Sequence, residues 1–548
     1  MTHKQELDAV VVGAGFGGMY ALHLLREGGY SVRLYEANGD VGGVWYSNRY
    51  PGARCDSQSQ FYCYTFSEEL YKGWTWSSAY PEQSEILDYL NCAADKLDLR
   101  RDIQFNTRVT SAEYDETNNR WRIHTEDGNL VLAKYFIPAI GNLTSSHKPD
   151  IKGLESFEGK AYHTSRWPHE KVDFRGKRVG VIGTGSSGVQ SITAISKMAD
   201  HLTVFQRTPQ YTFPVKNPLL GPDKIKEMKD NFHELRRKMY EHPTALPPNT
   251  EINQFIKHYS ALDDTPEERQ KLYERIWEID GSQLLVAYND LMTNDEANET
   301  LAEFMRSKIK EIVKDPQTAE NLLPTYLVNG KRPVYDTGYL ETYNQENVSL
   351  VNLKKTPILE CTPKGLRTTE AEYELDIIVF ASGFDAVTGP LMNANIRGRN
   401  GILLKDKWEG GANLKTYLGI CNVGFPNMFT IGGPHFNLPT NAPTVNEVLA
   451  EWIFDCIQYF EKHGIEVIEA TPEAEEDWTN HVNEIGSKSI YAKVDSWFTG
   501  ANIEGKPRTF LGYMGGFPSY HEQILKSKSF EGFSFRPDIV VKEHTVRV

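Results

Sequence analysis

Residues 9–18 read A-V-V-V-G-A-G-F-G-G, and residues 179–188 read V-G-V-I-G-T-G-S-S-G. Each is a short apolar run that ends in a G-x-G-x-x-G loop: Gly13, Gly15 and Gly18 in the first copy, Gly183, Gly185 and Gly188 in the second. In such a loop the first glycine permits a tight turn, the second lets backbone N–H groups approach a pyrophosphate, and the third lets helix and strand pack closely. The helix that follows presents its partial positive end to the anion. One copy is a weak signal, because glycines are common in turns. Two copies, each with a strand before and a helix pattern after, predict an α/β fold with two Rossmann-like dinucleotide-binding domains.

Outward from the first loop, Leu7 to Val12, a helix through Arg26 and Ser31 to Ala37 make a βαβ unit. Between the loops, residues 103–140 alternate apolar and polar in short runs with Asn-Asn and Asp-Gly turns, which predicts an inserted antiparallel sheet. From Asp223 to about Glu320 the period changes: Ile225, Met228, Phe232, Leu235 and Met239 recur at helical spacing, and Thr265-Pro266-Glu267-Glu268 is a capping box. A buried strand returns at Leu375 to Ala381, followed by the small-residue turn Ser382-Gly383-Phe384-Asp385. The expected organisation is a first nucleotide domain from residues 1–145 and 385–548, a second from 146–222 and 328–384, and a helical insertion at 223–327. A chain of 548 residues suits roughly two to four domains.

The two loops differ in the residue that ends the next strand. In the first unit it is Glu36, a carboxylate suited to the ribose hydroxyls of an unphosphorylated adenosine. In the second, the same count from Gly183 lands on Gln206, followed by Arg207 and Thr208. A carboxylate there would repel a 2′-phosphate, whereas a guanidinium fork selects it. The first site is therefore expected to hold FAD and the second NADPH; an ordinary surface arginine is the competing reading of Arg207.

Composition bounds the rest. A net charge of −15 argues against a nucleic-acid partner. Six scattered cysteines without a C-x-x-C pair predict free thiols in a reducing compartment, and no metal site is expected. No apolar run approaches the ~20 residues of a membrane span, and neither the N-terminal M-T-H-K-Q-E-L-D nor the C-terminal T-V-R-V reads as a common address. A cytoplasmic protein with no membrane partner is expected, a monomer with a weak dimer as the alternative.

Between the loops, F-E-G-K-A-Y-H-T-S-R-W from Phe157 to Trp167, continued by Pro168, resembles the F-x-G-x-x-x-H-x-x-x-W-[PD] fingerprint of type I Baeyer–Villiger monooxygenases, class B flavoproteins; Phe157, Gly159, His163, Trp167 and Pro168 fill its fixed positions. The likeness extends to G-G-V-W-Y-S-N-R-Y-P-G-A-R-C-D from Gly42, V-F-Q-R-T-P from Val204, G-K-R-P from Gly330 and S-W-F-T-G-A-N from Ser496. Ser382 departs from it, since relatives usually carry threonine there. The resemblance implies that NADPH reduces FAD, that dioxygen adds at the flavin C4a carbon, and that the resulting peroxyflavin inserts one oxygen atom beside a ketone carbonyl to give an ester or lactone. It also implies roles: Arg332 as the fixed catalytic cation, Asp56 as its partner, and Lys331 beside Arg207 and Thr208 at the 2′-phosphate. Gly43, Trp45, Thr184 and Ser186 would join the glycines in cofactor binding, and Trp497 would sit on a loop that closes over the nicotinamide. His163 is read as a linker hydrogen-bonding residue rather than a general base. Tyr62, Tyr64, Phe66 and the Trp74–Trp76 run read as packing around the flavin, and Phe436 to Thr440 as pocket lining. The alternative is a related oxygenase acting mainly on sulfur or nitrogen. A disulfide reductase would need a close cysteine pair, and Cys55 and Cys63 are not one.

Overall fold

The structure is a computed structural model that describes residues 4–248 and 250–536; the terminal M-T-H and T-V-R-V lie outside them. The first sheet has seven strands, ordered Ile396–Arg397, Val109–Asp115, Arg120–Thr125, Leu130–Pro138, Lys4–Val12, Val32–Tyr35 and Ile103–Gln104. Lys4–Val12 runs parallel to both of its neighbours. The expected hairpins at 103–140 exist, but they do not make a separate sheet. Leu130–Pro138 pairs antiparallel with Arg120–Thr125 on one side and parallel with Lys4–Val12 on the other, which fuses the two. The second sheet is all parallel, ordered Val348–Asn352, His201–Gln206, Arg178–Ile182, Ile377–Phe380 and Lys160–His163. Its central strands read as continuous apolar runs because both faces are covered.

From the tail after residue 385, Ile396, Trp408, Trp452 and Phe535 share a core with Val10, Leu34 and Trp121. The helical insertion behaves differently from the expectation. The Pro266–Asp280 helix starts with the reciprocal Thr265–Glu268 capping box and belongs to a separate core with Tyr288, Leu301 and Met305. The earlier stripe, by contrast, joins the first core through Met228, Phe232 and Met239, with Phe232 against Tyr71 at 4.8 Å between ring centroids. An amphipathic helix packs on whatever apolar face is nearest, and here that face belongs to the first domain.

The Ala442–His463 helix lies against Phe16–Glu27 and carries a buried carboxylate, Glu447, which accepts hydrogen bonds from the Thr65 amide and hydroxyl. Burial pushes its carboxyl up to about 7, with Glu451 adding repulsion. A raised folded-state pKa means that the stabilisation is complete below the ordinary carboxylate value and is lost as pH rises toward 7. Thermal midpoints are expected to fall from about pH 5 to about pH 8, and Glu447→Gln to flatten that fall, by about 3 kcal/mol at most.

Candidate active site and nucleotide loops

In both loops the sequence pattern becomes steric fact. Gly13 has φ +103°, and a Cβ there would stand 2.5 Å from the Ala139 carbonyl oxygen; Gly183 has φ +106° and the same conflict with Ala381 at 2.4 Å. A Cβ on Gly18 would lie 1.8 Å from the Gly13 carbonyl oxygen, and one on Gly188 2.2 Å from that of Gly183. The middle glycines are open instead. A Cβ on Gly185 would meet nothing within 4 Å, and one on Gly15 only Gly43 Cα at 3.7 Å.

Neither following helix, Phe16–Glu27 or Ser186–Ile195, has a side-chain N-cap or an acidic residue in its first turn. Their N-terminal amides and open glycine faces form cradles that fit a pyrophosphate. Glu36, 5% exposed, ends the first βαβ unit and accepts from the Ala14 amide at 2.7 Å and from Asn38. Gln206 is buried and its amide donates to the Asn321 carbonyl; Arg207 beside it is exposed and has no ion pair among the described residues. Thr184 donates to the Thr208 carbonyl at 2.9 Å, tying the loop to this corner. Lys331 reaches the same region. Burial lowers its ammonium pKa, Asp495 opposes that, and Arg207 and Lys354 lower it further. Three cations repelling one another suit a dianionic phosphate; Lys354 has no motif to mark it in the sequence.

Arg332 and Asp56 meet, although 276 positions apart: Nε donates to Oδ2 at 2.8 Å and Nη2 lies 2.6 Å from the same oxygen. Asp56 holds the guanidinium above its ordinary pKa against the opposing effect of burial. Nη1 has no partner among the described residues, and the Arg332 side chain is 43% exposed, so one edge is held and the other is free. Trp45 donates to the Tyr62 hydroxyl at 3.1 Å, and Phe16, Tyr62 and Tyr64 pack edge to face around the first loop. Trp74 and Trp76 pack on Tyr89, which in turn meets Phe16 and Tyr64 and so extends the same cluster. Within the expected pocket lining, the Asn437 amide is buried with neither polar atom partnered.

Two further residues differ from expectation or extend it. His163 ends the edge strand Lys160–His163 of the second sheet rather than lying in a linker. Its Nε2 lies 3.3 Å from the His147 carbonyl oxygen and 3.2 Å from the Ser382 hydroxyl, so it does connect the two crossing segments between the domains. Trp497 lies on a short 3-10 turn, Trp497–Thr499, packed on Phe498, and the loop is tied down where Lys331 donates to the Asp495 carbonyl. All six cysteines are free; among the described residues no cluster could hold a metal ion, and no helix is long and apolar enough to cross a membrane.

Two nucleotide cradles and an arginine–carboxylate pair fit a flavin- and nicotinamide-dependent oxidoreductase, and the comparisons make this specific. Residues 7–216 match the family described as FMO-like, flavin-binding monooxygenase-like. The chain is 42% identical to a Baeyer–Villiger monooxygenase of Pseudooceanicola batsensis, covering 96% of each chain. It is 41% identical to a phenazine N-monooxygenase of Lysobacter antibioticus, with 98% of each covered. The crystal structure of cyclohexanone monooxygenase from Rhodococcus sp. Phi1 bound to NADP+ superposes with a TM-score of 0.94 at 41% identity, over 97% of this chain and 99% of that one. The chain belongs to the Baeyer–Villiger monooxygenase family.

Proposed function

We propose that the protein is an FAD-dependent, NADPH-consuming Baeyer–Villiger monooxygenase that inserts one atom of dioxygen beside a ketone carbonyl, giving an ester or lactone, with Arg332 and Asp56 at the reacting centre. The observation that carries the residue assignment is the half-held guanidinium. The Gly13–Gly18 cradle and Glu36 would hold FAD, which when bound and reduced by NADPH would supply the activation of dioxygen. Arg332 supplies a charge that cannot give up its proton, since guanidinium stays protonated at any working pH. Its free Nη1 edge is suited to the negative charge that develops on oxygen, while Asp56 fixes the opposite edge so that no reorganisation is needed at the moment of reaction. Trp497 and its tethered loop are assigned to covering the nicotinamide and excluding water, which protects reactive oxygen chemistry from wasteful decay.

Arg207, Thr208 and Lys331 are assigned to the 2′-phosphate. Arg207→Ala is expected to raise the KM for NADPH roughly tenfold or more and to leave that for NADH within about twofold. Steady-state kinetics with both nucleotides checks this, and equal effects would move the phosphate elsewhere. Ketone-stimulated NADPH oxidation by the yellow protein tests the activity itself. Oxygenation of sulfur or nitrogen is kept as a second reading, because one relative is an N-monooxygenase; a sulfide in the same assay measures it. A cytoplasmic setting is part of the reading, carried by the six unpaired cysteines.

A further inference from the structure

The loop that carries Asp56 leaves its own domain. Val41 and Cys55 are buried in the first core, whereas Tyr50 and Ala53 between them are buried in the second. Gly52, at φ +80°, comes so near the Ser186–Ile195 helix that a Cβ would stand 2.5 Å from the Gln190 carbonyl oxygen and 3.1 Å from Ala194 Cβ. Side chains lock this docking: the Tyr50 hydroxyl donates to Gln190 Oε1 at 2.8 Å, and Gln190 Nε2 donates to the Arg54 carbonyl at 3.1 Å. The docked loop borders a small cavity lined by Arg54, Cys55, Gln190 and Tyr335, among others.

We propose that Tyr50 and Gln190 are positioning residues for the oxygenation reaction: they clasp the Asp56 loop to the helix that opens at the nicotinamide-nucleotide loop, and so hold Asp56 in register with Arg332. The inference rests on the assignment of Asp56 and Arg332 above. Arg54 is two residues from Asp56, and Arg332 comes from the second domain, so the Asp56–Arg332 contact spans both domains. Without the clasp, the alignment would rest on the pair itself, on the packing of Gly52 and Ala53 against the second domain, and on backbone bonds such as Cys55 N–H to the Pro81 carbonyl. Misplacing a fixed charge by a fraction of an ångström weakens its effect on the reaction more than it weakens cofactor binding. A loosened clasp therefore leaves reduction of FAD in place and lets activated oxygen decay to hydrogen peroxide.

The test uses the full-length holoenzyme with Tyr50→Phe, which keeps the buried ring, Gln190→Met, which keeps the length, and Gln190→Glu, which can still accept from Tyr50. The readouts are FAD content, the KM for NADPH, and the fraction of oxidised NADPH recovered as ester rather than peroxide. Tyr50→Phe and Gln190→Met are expected to keep their FAD, to hold the NADPH KM within about twofold, and to lower the ester fraction roughly fivefold. Gln190→Glu should recover part of that loss. The double variant should be no worse than the worse single, since both cut one link. An unchanged ester fraction in folded, yellow single variants would overturn the clasp, as would a loss explained wholly by a raised NADPH KM. Absence of ester from the unmodified chain would instead overturn the functional reading and the proposal with it.

Discussion

Replacing Arg332 with alanine is expected to leave a folded yellow protein that no longer makes ester. The side chain is 43% exposed and its ion pair joins two loops rather than filling a core, so its loss should cost little stability. Catalytically the change removes a cation that Asp56 fixes along one edge while the other edge stays free. Removing a single preorganised donor from a charge-stabilising site typically costs about 10²–10³ in kcat, and a full charge should cost at least that. NADPH oxidation should persist and end in hydrogen peroxide. Arg332→Lys should not rescue, because an ammonium cannot hold Asp56 with two N–H groups and keep a third in plane. Stopped-flow reduction, peroxide assay and product analysis on one preparation separate the steps. Unchanged ketone turnover would remove Arg332 from the mechanism.

The second large effect lies in the glycine loops, where two apparently equal substitutions should behave oppositely. In Gly18→Ala the new methyl would stand 1.8 Å from the Gly13 carbonyl oxygen, and a backbone carbonyl in a tight turn cannot yield. The helix must back away from the strand, at a cost of about 1–3 kcal/mol, and the cradle opens. A colourless protein with a lowered thermal midpoint is the expected outcome. Gly185→Ala, whose methyl meets nothing within 4 Å, should instead fold normally and retain flavin. Its methyl occupies the space through which a pyrophosphate approaches the backbone, so the loss should appear in NADPH binding alone. Flavin absorbance, thermal melts and NADPH titration on the two variants distinguish these results.

Much of this was legible in the sequence because it is local. The glycine loops, the βαβ unit and the Thr265–Glu268 capping box each rest on spacing within a few residues, and steric rules translate such spacing directly. The contrast between Glu36 and Gln206-Arg207 is equally local. Pairing across the chain is another matter. Arg332 and Asp56 could be named together only through family likeness, since nothing in either segment points to the other. Thr65 and Glu447, 382 positions apart, and Tyr50 and Gln190, 140 apart, carry no local signal at all. The Met228–Met239 stripe shows the same limit: its period predicted a helix, but not that its apolar face would be taken up by Tyr71 and the first core. Lys160–His163, only four residues long, carries little strand signal of its own; the parallel partner Ile377–Phe380 makes it a strand.

The most direct measurement is mass analysis of the products formed by purified holoenzyme from NADPH, isotopically labelled dioxygen and a mixture of cyclic, aryl and linear ketones with one sulfide. A single labelled oxygen atom in an ester or lactone is the expected result. Label confined to the sulfoxide, with every ketone recovered unchanged, would contradict it.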